Sequence, residues 1–134
     1  MPDLSPAARE ALRRAGPHVV APGMRLLTTD ERYRNPMARC SDNEHMIRHY
    51  VTEMGGYPDL SDGTTYRECV HRLACKVAGR EVENATWREG HPVGWVLHWN
   101  IAGIQGYERR FDVKGGRVEA LALALGEAFG GEDG

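Results

Sequence analysis

Gly94-Trp95-Val96-Leu97-His98-Trp99-Asn100-Ile101 is the stretch on which the fold turns. Trp95, Leu97, Trp99 and Ile101 alternate with Val96, His98 and Asn100, and a period of two marks a strand with one buried and one wetter face. Residues 102–106 supply a hairpin loop, in which Gly103 and Gly106 offer positive φ. The chain returns over residues 107–113, sending Tyr107, Phe111 and Val113 one way and Glu108, Arg110 and Asp112 the other. Residues 82–88 predict a third strand. Alternation of this kind suits an antiparallel sheet.

On both sides of these strands the period becomes 3.6. Residues 117–129 predict a helix with Val118, Leu121, Ala122, Leu125 and Phe129 as its core stripe, while Leu123 projects well away from that stripe. A helix apolar on more than one side is buried on more than one side. Another part of the chain or a second subunit would cover it, so Leu123 is the expected contact of a homodimer. Residues 64–78 predict a helix with Tyr66, Val70, Leu73, Ala74 and Val77 on one face and Gly79 at its end. Ser41-Asp42-Asn43-Glu44 is a capping-box pattern. It opens a helix that aligns Met46, Ile47, Tyr50, Val51 and Met54 and stops at Gly55-Gly56.

The N-terminal region is harder to read. Ser5 can cap a helix and Pro6 suits its first turn, whereas Gly16 and Pro17 end the run 7–15. With only Leu4, Ala8 and Leu12 as its stripe, this helix is expected to dock weakly. Residues 17–40 read mostly as loop, with short strand signals at 19–20 and 24–28.

The expectation is therefore an α+β fold: a two-layer sandwich in which helices pack an antiparallel three-stranded sheet. An α-β-β-β-α core over residues 64–130 follows two earlier helices. All 134 residues form one domain, a normal length for one. Its parts are an N-terminal helix and arm (1–40), a second helix and connector (41–63), the core, and a tail (131–134).

Charge narrows the partners. Seventeen basic and nineteen acidic residues leave a formal charge of −2, and both signs are spread through both halves. A dedicated nucleic-acid binder draws its affinity from a basic face. Local clusters are Arg32, Arg34 and Arg39, then Arg67, Arg72, Lys76 and Arg80. No apolar run approaches the ~20 residues of a membrane helix. The first six residues lack a basic-then-apolar leader pattern, and three cysteines cannot pair completely. A cytoplasmic protein is expected, in a host cell's cytoplasm if phage-encoded.

Several residues could carry chemistry. His98 lies mid-strand on the face expected to carry Glu108, Arg110 and Asp112; a histidine beside carboxylates can transfer protons, and an arginine there can hold an anion. Cross-strand charge pairing is the ordinary use of such residues. Trp87 could be an exposed anchor for a partner. His45 and His49, spaced i, i+4, could share a metal with Cys40 nearby, although their plain use is as exposed histidines. Cys69 and Cys75 lie six residues apart on one helix, about 9 Å and 240° of rotation, which excludes a disulfide or shared ion. Lys114-Gly115-Gly116 precedes a helix but lacks the spacing of a phosphate loop. No catalytic set, metal or cofactor is expected.

The block Gly94-Trp95-Val96-Leu97-His98-Trp99, residues 107–113 and Val118-Glu119-Ala120-Leu121-Ala122-Leu123-Ala124-Leu125 resembles the phage ABA-sandwich domain family. That resemblance implies a phage or prophage setting and leaves activity open. The helix–strand–strand–strand–helix order is also similar to the double-stranded-RNA-binding domain. Gly90-His91-Pro92 then stands where that domain's minor-groove loop would be, and residues 114–119 stand where its lysine cluster would be.

Two functions follow as expectations. The first is a small non-enzymatic phage or prophage accessory protein that binds and modulates a host protein or sequesters a small ligand through His98, Glu108, Arg110, Asp112 and Trp87. The alternative is a nucleic-acid-binding module using Arg32, Arg34, Arg39, Arg67, Arg72 and Lys76. An enzyme centred on His98, Glu108 and Arg110 is a third option.

Overall fold

The computed structural model describes residues 4–27, 44–53, 55–102 and 105–130. Within these the order is α1 (Pro6–Val19), β1 (Leu26–Leu27), α2 (Glu44–Glu53), β2 (Tyr57–Pro58), α3 (Gly63–Ala78), β3 (Glu83–Glu89), β4 (Trp95–Ile101), β5 (Gln105–Phe111) and α4 (Arg117–Phe129). The α+β sandwich expected from the sequence is present. An antiparallel sheet ordered β3-β4-β5 packs one face against α3 and α4, and the short β1-β2 pair lies apart.

Trp87, Trp95, Leu97, Trp99 and Phe111 fill the inner face of the sheet. The Trp87 and Trp95 rings stack 5.7 Å apart, and their N–H groups donate to the carbonyls of Arg117 and Gly115. Two indoles thus hold the turn that leads into α4. Trp87 is 6% exposed, which overturns its reading as a surface anchor. One extra residue between Glu83 and Thr86, at the left-handed Asn84, makes a bulge in β3 and turns Trp87 inward.

The first helix departs most from expectation. It runs through Gly16 and Pro17 to Val19, with Ser5 capping the Ala8 amide at 3.1 Å. Proline removes one helix hydrogen bond, but Ala15, Gly16 and Val19 are buried and hold the last turn in place. Gly16 serves a close approach rather than a stop: a Cβ there would lie 2.7 Å from Val51 Cγ1.

Nor does α1 dock weakly. It runs parallel to α4, with Ser5 beside Glu119 at one end, Ala11 against Gly126, and Arg14 beside Gly130 at the other. Small side chains bring the two backbones close enough to bury Ala8, Ala11, Ala15, Ala122 and Gly126. The second apolar side of α4 is therefore covered by α1 of the same chain. Leu123 is half-buried in a groove beside Ala7, Ala11 and Val113.

The connector before α3 is also ordered. Asp59 is buried; its Oδ1 accepts from the Ser61 amide at 3.0 Å, and its Oδ2 lies 3.2 Å from Arg25. Asp62 caps α3 by accepting from the Thr65 amide at 3.1 Å, and the Thr65 hydroxyl in turn accepts from the Arg25 amide at 2.7 Å. These bonds join the β1-β2 pair to the start of α3. No helix of the described residues is long and apolar enough to cross a membrane.

Candidate functional site

The outer face of the sheet assembles only part of the expected His98 cluster. His98 is half-buried, with Glu108 opposite it on β5 and Thr86 opposite it on β3. Its ring lies over Gly106, where a Cβ would come within 3.1 Å of Nε2. Arg110 does not join them. Its guanidinium donates to the carbonyls of Val93 at 2.6 Å and His91 at 2.9 Å, bracing the β3–β4 turn. Asp112 lies past the end of β5 and lines the groove beside Lys114 and Leu123. His98 and Glu108 thus face each other across the sheet, while Arg110 is spent on a turn and Asp112 lies past the end of the strand.

A second constellation forms where α3 meets the C-terminal ends of α1 and α4. A crevice of about 490 Å³ is lined by His18, Glu68, His71, Arg72, Cys75, Lys76, Glu81 and Phe129. Arg72 Nε lies 3.3 Å from Glu68 Oε1, and the Lys76 ammonium sits 5.8 Å from the centre of the Phe129 ring. Two of the three α3 cations expected to read phosphates, Arg72 and Lys76, therefore line this crevice. Arg67 is exposed. Arg32, Arg34, Arg39 and Cys40 lie outside the described residues, as does the Ser41 cap; His49 is exposed.

Three side chains in the crevice converge. His71 and Cys75 are one helical turn apart on α3, and Gly79 ends the helix in the left-handed region at φ 74°. The reversal brings Glu81 back over the same turn. His71 Nε2 lies 3.6 Å from Cys75 Sγ and 3.7 Å from Glu81 Oε2, while Sγ and Oε2 are 3.9 Å apart. His71 Nε2 also lies 3.1 Å from the Val82 carbonyl.

The chemistry of the sulphur follows from its surroundings. Burial raises the Cys75 thiol above its ordinary value, the Glu81 carboxylate adds to the rise, and the Val82 backbone and Arg72 oppose it. Cys69, on the inner side of the same helix, is fully buried and pushed up to about 12 by desolvation. Neither is an activated thiolate.

The chain matches no family model, no curated protein and no solved structure.

The crevice stands on its own geometry. The sequence carries a signal for its centre: a histidine and a cysteine at i, i+4, the same spacing that singles out His45 and His49. Cys75 pairs by spacing with His71 and not with Cys69. Glu81 had no such signal, because its approach depends on the reversal at Gly79.

Proposed function

We propose that the chain is a small accessory protein of phage or prophage type that sequesters a small ligand in the crevice between α3 and the ends of α1 and α4, without reacting with it. The phage setting rests on the resemblance of residues 94–129, and the binding role rests on the crevice. Its volume of about 490 Å³ lies within the range of small-molecule pockets.

The observation that carries the reading is the crevice itself, a concave site whose rim carries donors and whose end wall is apolar. A covalent mechanism needs a thiolate with a base turned toward it. Here burial raises the Cys75 thiol, and the nearest ring nitrogen is shared with the Val82 carbonyl and the Glu81 carboxylate. Arg72, Lys76 and His18 provide donors around the rim, and Phe129 provides an apolar end wall. Such a site offers a ligand donors and an apolar wall rather than an activated sulphur.

The test is native mass spectrometry of the full chain after incubation with the small-molecule fraction of a bacterial extract. A retained mass that is lost in His18→Trp, which fills the crevice from its exposed rim, is the expected result. Retention of nothing, or equal retention by His18→Trp, overturns the reading. Modification of the retained molecule at catalytic rates overturns its non-enzymatic half.

A further inference from the structure

We propose that His71, Cys75 and Glu81 form a binding site for a zinc-type divalent cation. The proposal rests on the crevice reading above and names a ligand that part of its lining takes.

Four observations support it. First, the donor atoms lie within 4.8 Å of one another. Zinc bond lengths of about 2.0–2.3 Å in a tetrahedron require ligand atoms about 3.3–3.6 Å apart. The observed edges of 3.6, 3.7 and 3.9 Å need only a small inward movement. Glu81 is 88% exposed and can make it.

Second, the donor types agree with one metal class. Sulphur and imidazole select zinc and its neighbours over magnesium or calcium, which prefer oxygen alone. Third, the charges balance: a thiolate and a carboxylate neutralise a divalent ion, with a neutral imidazole as the third ligand. Fourth, the last turns of α1, α3 and α4 all reach this crevice through His18, Cys75 and Phe129. Helix C-termini carry partial negative charge and favour a cation.

Binding is balanced as follows. Cys75 gives up its proton to solvent as the sulphur–metal bond forms. His71 ligates through the Nε2 lone pair with its proton on Nδ1, and the contact to the Val82 carbonyl yields to the ion. Three protein ligands leave the fourth position to water.

The experiment uses the full chain, stripped with chelator and titrated with zinc by calorimetry, and then with cobalt(II) as a spectroscopic probe. One equivalent of zinc is expected, and cobalt is expected to give a sulphur-to-metal charge-transfer band. Hydrogen-bond partners of metal ligands alone are worth about 10–100-fold in affinity. Cys75→Ser and His71→Gln should therefore each cost about 100-fold or more, and Cys75→Ser should abolish the band. Cys69→Ala and the double variant Cys40→Ser/His49→Ala should keep both zinc and band, with circular dichroism confirming that every variant is folded.

Zinc binding that survives Cys75→Ser, or that disappears in Cys40→Ser/His49→Ala, overturns the proposal. So does the absence of binding. If zinc fails while a small molecule is still retained and released by His18→Trp, only the metal inference falls. If both fail, the crevice reading falls with it.

Discussion

Glu119 accepts hydrogen bonds from both the backbone amide and the hydroxyl of Ser5, across 114 residues of sequence. Ser5 caps α1 and Glu119 sits in the first turn of α4. The two helices are parallel, so this carboxylate faces the positive ends of both. Replacing Ser5 with Ala removes the cap and one partner of Glu119, and should cost about 0.5–2 kcal/mol. Glu119→Gln should be destabilising too, and the double variant should lose less than the sum. Urea denaturation of the four chains measures that coupling. Strict additivity would mean that the pair contributes nothing jointly.

Gly126→Ala should be destabilising by about 1–3 kcal/mol, although the same change in an open helix is favourable by about 0.5–1 kcal/mol. The added Cβ would lie 2.5 Å from the Ala11 Cβ. Ala11→Gly in the same chain should recover part of the loss. A stabilised Gly126→Ala variant in thermal melts would refute the close approach of α1 and α4.

Trp87→Ala should destabilise the fold by about 3–5 kcal/mol. The ring is stacked on Trp95, tilted against Phe111 at 5.7 Å, and bonded through its N–H to α4. Trp87→Phe should cost less, because it keeps most of the packing and loses the hydrogen bond. Chemical denaturation separates this outcome from that of a surface anchor, which would unfold at the wild-type midpoint.

Alkaline pH should weaken the protein, and the buried Cys69 thiol should account for a separable part of the loss. Cys69 is raised from 9.0 to about 12 by burial, so above pH 9 the unfolded chain releases a proton that the folded chain keeps. That contribution is fully present below pH 9 and is lost as pH rises toward 12, with a slope of up to about 1.4 kcal/mol per pH unit. Cys69→Ala should flatten this part of the stability curve. An unchanged slope would contradict the burial of the thiol.

Zinc affinity should move the other way with pH. Metal binding displaces the Cys75 proton. Affinity should therefore climb by about tenfold per pH unit while the free thiol stays protonated. Calorimetry in two buffers of different ionisation heat reads the proton released directly.

Much of the core was legible because its signals are local. Trp95, Leu97 and Trp99 alternate, and a period of two needs no knowledge of what covers it. The face of α3 that carries Val70, Leu73 and Ala74 was equally plain. The bulge in β3 was not. Val82 and Trp87 are both buried although five residues apart, an odd spacing that a regular strand cannot place on one face. Only the extra residue near Asn84 reconciles them. Gly16 and Pro17 misled for the opposite reason: their local preference for ending a helix is worth less than the burial of Val19 and the room Gly16 gives to Val51.

On the functional side, His71 and Cys75 share a helix face by spacing alone, whereas Arg110 and Asp112 shared a face only if nothing else claimed them. The turn carbonyls claimed the first, and the end of β5 released the second.

The sequence by itself determined the α-β-β-β-α order, the inner face of the sheet and the helical pair His71–Cys75, since each depends on residues a few positions apart. The tertiary structure decided that α1 covers α4, that Trp87 is core, and that Glu81, His18 and Phe129 meet His71 and Cys75 around one crevice. Those outcomes depend on how closely two backbones can approach and on where a chain turns back. Ala11 and Gly126, 115 positions apart, set the first, and the left-handed turn at Gly79 sets the second.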